Sequence, residues 1–100
     1  YEAILQLRDF PSSETRLRVQ EEMERLAAQS SRLKPENFIA EVKEHHGGLD
    51  FYVSSVSLAR RMEARLKERF GVTTVESAKL IGQTKNGRRK YRVSILARFK

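Results

Sequence analysis

One hundred residues with 39% hydrophobic side chains are enough for one packed core, and call for neither disorder nor a second domain. The chain has no apolar run of roughly eighteen residues and no charged-then-apolar leader pattern, which argues against membrane spans and secretion. It has no cysteine, which removes disulfide frameworks and thiolate metal or redox sites. The net charge of +7 is uneven: residues 1–50 carry seven Lys/Arg against ten Asp/Glu, and residues 51–100 carry thirteen against three. Such asymmetry suggests a polyanion, RNA or DNA, facing one side of the fold, and a cytoplasmic setting is the default expectation. The chain starts inside one strand-like pattern and stops just after another, so it is expected to be a segment of a longer protein.

In chain order, residues 1–8 alternate, with Tyr1, Ala3, Leu5 and Leu7 on one face, which predicts a strand. Pro11 and the neighbouring serines break it. From Ser13 to Ser31 the period becomes helical, with Val19, Met23, Leu26, Ala27 and Ser30 along one side and Glu14/Arg18 and Glu21/Arg25 as expected i,i+4 pairs, and Pro35 is the stop signal. Residues 38–44 predict a strand facing inward through Phe38, Ala40 and Val42; residues 49–54 predict another through Leu49, Phe51 and Val53. The "HHGG" between them reads as a hairpin connection whose glycines supply positive φ. Val56 to Phe70 predicts a second helix with Leu58, Ala59, Met62, Leu66 and Phe70 on its apolar stripe. One of Ser54, Ser55 and Ser57 should cap its start, and Gly71 its end. Residues 72–83 are strand-like with an irregularity expected near Glu76–Ala78, Asn86-Gly87 signals a hairpin turn, and the last strand points Tyr91, Val93, Ile95, Ala97 and Phe99 inward. The order βαββαββ predicts an α+β fold: a two-layer α/β sandwich, ferredoxin-like split βαβ with an extra C-terminal strand, spanning residues 1–100 as a single domain.

Few residues suggest chemistry. Neighbouring side chains of an extended segment point to opposite faces, so His45 and His46 are poorly placed to chelate one ion, and there is no third His. "GGLD" joins two strands and lacks the spacing of a phosphate loop. Asp50 is expected as a lone carboxylate on the sheet's far face, and no set of nucleophile, base and stabiliser can be assembled, so no enzyme activity is expected. No cofactor and no membrane contact is expected of this segment, nor any small-molecule substrate.

The basic residues carry the functional expectation. "KNGRRKYR" crowds Lys85, Arg88, Arg89, Lys90 and Arg92 at a hairpin tip that can lie along phosphates, and Arg60, Arg61 and Arg65 of the second helix could extend the patch, although Glu63 pairs naturally with Lys67. An alternative is a single-stranded RNA binder resembling an RNA recognition motif, suggested by the position and Gly-aromatic composition of "HGGLDFYVS". In that reading only Tyr52 is left to stack on the open face, with Arg92 and Arg98 as neighbours. A further alternative is a scaffold domain that makes protein contacts only.

Three stretches, "GLDFYVSSVSLARRMEARLKERFG", "TTVESAKLIGQTKNGRRKYRVSILARF" and the opening "YEAILQLR", resemble the central region of the large-ribosomal-subunit (60S) export adaptor family, the Nmd-three proteins, especially their archaeal members. The most specific piece is the "G-x-DFY-x-S-S" strand with its following helix, then "ES-x-KL-x-G" and a "YR-V" strand; residues 9–37 are less diagnostic. The resemblance implies a module of a ribosome-assembly adaptor that binds the large ribosomal subunit, with rRNA and ribosomal proteins as partners. It also implies that the family's paired-cysteine zinc modules and its leucine-rich export signal lie in flanking regions, so zinc and exportin binding are not expected of this segment.

Overall fold

Strand and helix periodicities assemble, in a computed structural model that describes residues 1–83 and 85–100, into β1 (Ala3–Arg8), α1 (Ser13–Leu33), β2 (Ile39–His45), β3 (Gly48–Val53), α2 (Val56–Phe70), β4 (Thr73–Gln83) and β5 (Arg89–Arg98). The five strands form one sheet, and its inward residues pack with the apolar faces of both helices into one cluster that includes Leu5, Leu7, Val19, Met23, Phe51, Leu58, Met62 and Ile95. This is the expected two-layer α/β sandwich.

The strand order is β2-β3-β1-β5-β4, with β1 antiparallel to β3 and parallel to β5. A ferredoxin-like sheet extended at its edge would set the strand after α2 beside β1; here the last strand takes that place and β4 is displaced to the rim. Burial accounts for the exchange. β5 buries Val93, Ile95 and Ala97, and Phe99 directly after it, whereas β4 has no buried residue and suits an edge.

Both helices are capped by their own sequence. Ser12 Oγ accepts a hydrogen bond from the Thr15 N–H and Ser55 Oγ one from the Leu58 N–H, while Gly71 closes α2 in the left-handed conformation at φ 62°. The serine pair before α2 also holds the α1–β2 loop. Ser54 Oγ accepts from the Phe38 N–H and donates to the Glu36 carbonyl, and Ser55 Oγ donates to Asn37 Oδ1. On α1 the buried residues are the predicted ones plus Glu22. The expected Glu14/Arg18 and Glu21/Arg25 pairs do not form: Arg16 reaches across to Glu44 at 3.3 Å and Arg25 turns to Glu22 at 3.1 Å.

Two irregularities overturn sequence expectations. In β2 the register against β3 shifts between Ile39 and Glu41, so the side chains facing the core are Ile39 and Val42, and Phe38 and Ala40 are exposed. A bulge reverses the alternation at Phe38 and Ala40, while Val42, beyond it, faces the core as expected. In β4 the break lies between Leu80 and Gly82, downstream of the expected Glu76–Ala78, where Gly82 adopts φ 154°.

Candidate nucleic-acid interface

β5 pairs with β1 only from Val93 to Arg98; before that it pairs with β4 alone, through Arg92, Tyr91, Lys90 and Arg89. Residues 79–92 therefore form a two-stranded ribbon that leaves the sheet, turning at Asn86-Gly87 with Gly87 at φ 77°; Thr84 lies outside the described residues. At about 3.3 Å per residue, the six residues from Val93 to Gly87 carry its tip roughly 20 Å beyond the sheet. The segment holds six Lys/Arg and no Asp/Glu. Lys85, Arg88, Arg89 and Lys90 are exposed, and none forms an ion pair among the described residues.

Arg92, predicted with that group, is placed differently. Its guanidinium lies 4.1 Å from the centroid of the Tyr1 ring and its Nε is buried without a hydrogen-bond partner. It packs on the sheet's open face rather than at the tip.

The α2 arginines are held within the domain. Arg60 donates to Glu76 Oε1 of β4 at 2.8 Å, which holds its pKa above the usual guanidinium value; Arg61 donates to Ser30 Oγ at 2.9 Å, and Arg65 to Glu22 Oε1 at 2.8 Å. Glu76 lies nine residues before Lys85 in sequence, about 30 Å along an extended strand, so the two halves of the predicted patch are not brought together at one place. Lys67 stands 3.8 Å from Glu63, as the spacing suggests.

Glu22 is a hub between the helices: Arg65, Arg25 at 3.1 Å and Arg69 at 3.4 Å surround a carboxylate that is buried at the helix interface. The Arg65 hydrogen bond, helped by the charges of Arg69, Arg65 and Arg25, lowers the Glu22 pKa from 4.5 against the opposing effect of desolvation. A depressed carboxylate pKa contributes stability that is present above the unfolded-state value and is lost as pH falls through the folded-state value. Glu22→Gln is therefore expected to lower the thermal midpoint at pH 7 and to flatten its decline below about pH 4.5, as measured by thermal unfolding across pH 2.5–7. A variant whose acid limb matches that of the unsubstituted protein would remove Glu22 from this role.

The other sequence candidates resolve into structure. His46 and Gly47, at φ 48° and 79°, form the central pair of a two-residue hairpin turn, and the left-handed step at His46 brings the two imidazole rings edge to face, with centroids 4.2 Å apart. The expectation that they point to opposite faces fails because the strand ends between them. No group of three His/Cys/Asp/Glu suited to a metal occurs among the described residues. Asp50 is not alone: Arg8 Nη1 donates to its Oδ1 at 2.7 Å. Tyr52 does lie on the open face, where Tyr1 meets it edge-on at 5.0 Å and Lys43 sits 5.3 Å from its ring centroid.

Besides Phe38, two aromatics that alternation assigns inward are exposed: Tyr1, ahead of β1, lies with Tyr52 and Arg92 on the open face, and Tyr91 escapes the pattern on β5. Alternation along β5 assigns Tyr91 to the core with Val93 and Ile95, yet it is 46% exposed because β5 outruns the sheet at that point. Its register partner Leu80 is 49% exposed. The available signal is the density of charge around "KYR", which is incompatible with a covered strand.

No helix among the described residues is long and apolar enough to cross a membrane. A comparison with curated proteins returned no match. The family model described as "NMD3, second domain" matches residues 1–99. With that match over almost its whole length, the chain belongs to the NMD3 family as its second domain, and so to the ribosome-related adaptors of 60S biogenesis.

Proposed function

We propose that this domain is a non-enzymatic module that binds the large ribosomal subunit, laying the β4–β5 ribbon along rRNA phosphates, with ribosomal proteins as neighbouring contacts in the cytoplasm. The observation that carries the reading is the set of four exposed cations, Lys85, Arg88, Arg89 and Lys90, at the tip of a projecting ribbon and without an internal counter-ion among the described residues. Their charge neutralises phosphates without reading sequence, which suits an adaptor that recognises a particle by shape and position. Neither a cofactor nor a small-molecule substrate has a part in it.

Salt dependence separates this from a scaffold that touches protein only. Four phosphate contacts predict a log–log slope of about −3 to −4 for affinity against salt, so co-sedimentation with large subunits should fall steeply between 50 and 200 mM salt, by roughly 100-fold in affinity. Binding that persists unchanged across that range would favour the scaffold.

A further inference from the structure

The ribbon has two unlike faces. Alternation along β5 puts Lys90 and Arg92 on one side, where Lys79 pairs with Arg92, and puts Tyr91 on the other, opposite Leu80 and preceded by Arg89 on the same side. Phenol and isobutyl side chains in register are cross-strand neighbours, and a pair of this kind normally gains its stability from cover. Here both remain about half exposed, at 46% and 49%, in a fourteen-residue stretch that holds six Lys/Arg and no Asp/Glu.

Resting on the reading of the ribbon as an RNA contact, we infer that Tyr91, backed by Leu80 and flanked by Arg89, is a stacking platform for an unpaired base, so that the ribbon prefers looped or single-stranded RNA to duplex. Each base offers a π face, and an aromatic ring beside cations gains from stacking while the cations hold the adjoining phosphates. A duplex keeps its bases stacked on each other and offers the ribbon phosphates alone. Charge complementarity selects this occupant over an apolar protein patch: residues 79–92 contain no carboxylate to repel RNA, and a protein surface would have to cover six cations to reach Tyr91, Leu80 and Ile81. Tyr52 is the less available platform, since Tyr1 and Lys43 already occupy its surroundings.

Fluorescence anisotropy of the 100-residue chain tests this with two labelled RNAs of equal phosphate number: a hairpin with a purine-rich loop, and a fully paired duplex. The unsubstituted chain should prefer the looped RNA by about tenfold, Tyr91→Ala should bring the two to parity with the salt slope unchanged, and Tyr91→Phe should keep the preference. Equal binding of both RNAs by the unsubstituted chain, or a preference that survives in Tyr91→Ala, overturns the stacking role. If in that case the combined Arg88→Glu, Arg89→Glu, Lys90→Glu variant still loses both RNAs, the phosphate-contact reading stands alone. If that variant binds like the parent, both readings fall.

Discussion

Gly48→Ala is expected to lower the thermal midpoint by about 15 °C, corresponding to roughly 3 kcal/mol, and to be among the most damaging one-carbon changes in the domain. A Cβ at this position would lie 2.3 Å from the Leu7 carbonyl oxygen and 2.8 Å from Arg8 Nη1. The first contact is with backbone in the middle of the sheet, which cannot yield without spreading β1 from β3. The second would push Arg8 away from Asp50, leaving a buried carboxylate without the guanidinium that neutralises it. Gly47 is the control. It has φ 79° and an added Cβ there would meet nothing within 4 Å, so Gly47→Ala carries only the left-handed backbone penalty of about 1 kcal/mol. Thermal unfolding of the pair separates crowding from backbone conformation, and equal shifts in the two variants would show that the close approach at Gly48 is relieved without cost.

The largest functional effect is expected from combining Arg88→Glu, Arg89→Glu and Lys90→Glu. All three side chains are exposed and outside the core, so the fold should keep its stability to within about 0.5 kcal/mol. Binding to large ribosomal subunits should fall by roughly 100- to 1,000-fold, at up to about tenfold per lost phosphate contact, which takes co-sedimentation to background. Lys34→Glu, in the acidic half of the chain, should leave it unchanged. A folded triple variant that still co-sediments would remove the ribbon from the contact surface.

Much of the fold is legible in the sequence, and the failures have identifiable causes. α2 is read with the bounds it has because its apolar stripe, serine cap and glycine stop agree. β1, β3 and most of β5 are read in the right phase because strict alternation survives in strands that carry no inserted residue; in both irregular pairings the insertion falls on the partner, β2 or β4. β2 fails in phase only up to Ala40, where a bulge inserts one residue that no composition signal marks, and Val42 beyond it is read correctly. The place of β5 between β1 and β4 is not legible either: strand order is set by competition among strands for the covered centre, which local periodicity does not encode.

The candidate site divides along the same line. Clustered charge at the hairpin tip identifies Lys85, Arg88, Arg89 and Lys90 as an exposed group. Charge on a helix face says nothing about partners distant in sequence, so the engagement of Arg60 by Glu76 and of Arg65 by Glu22 is invisible to it. Tyr91 is misplaced because alternation reports which side of a strand a residue takes, while burial also requires that something lie on that side.

The central position of β5 also governs when the domain can fold. Ala3 pairs with Val93 and Arg8 with Arg98, so the interior of the sheet joins segments about ninety residues apart, nearly the full length of the chain. The β2–β3 hairpin and the helices are local and can form early, but β1 gains its second neighbour only when the final strand arrives, a high-contact-order closure of the kind that slows folding. During synthesis, the complete sheet must wait until Arg98 has left the ribosome. A truncation that removes β5 would therefore take out the strand joining β4 to the rest of the sheet, with the ribbon lost alongside it.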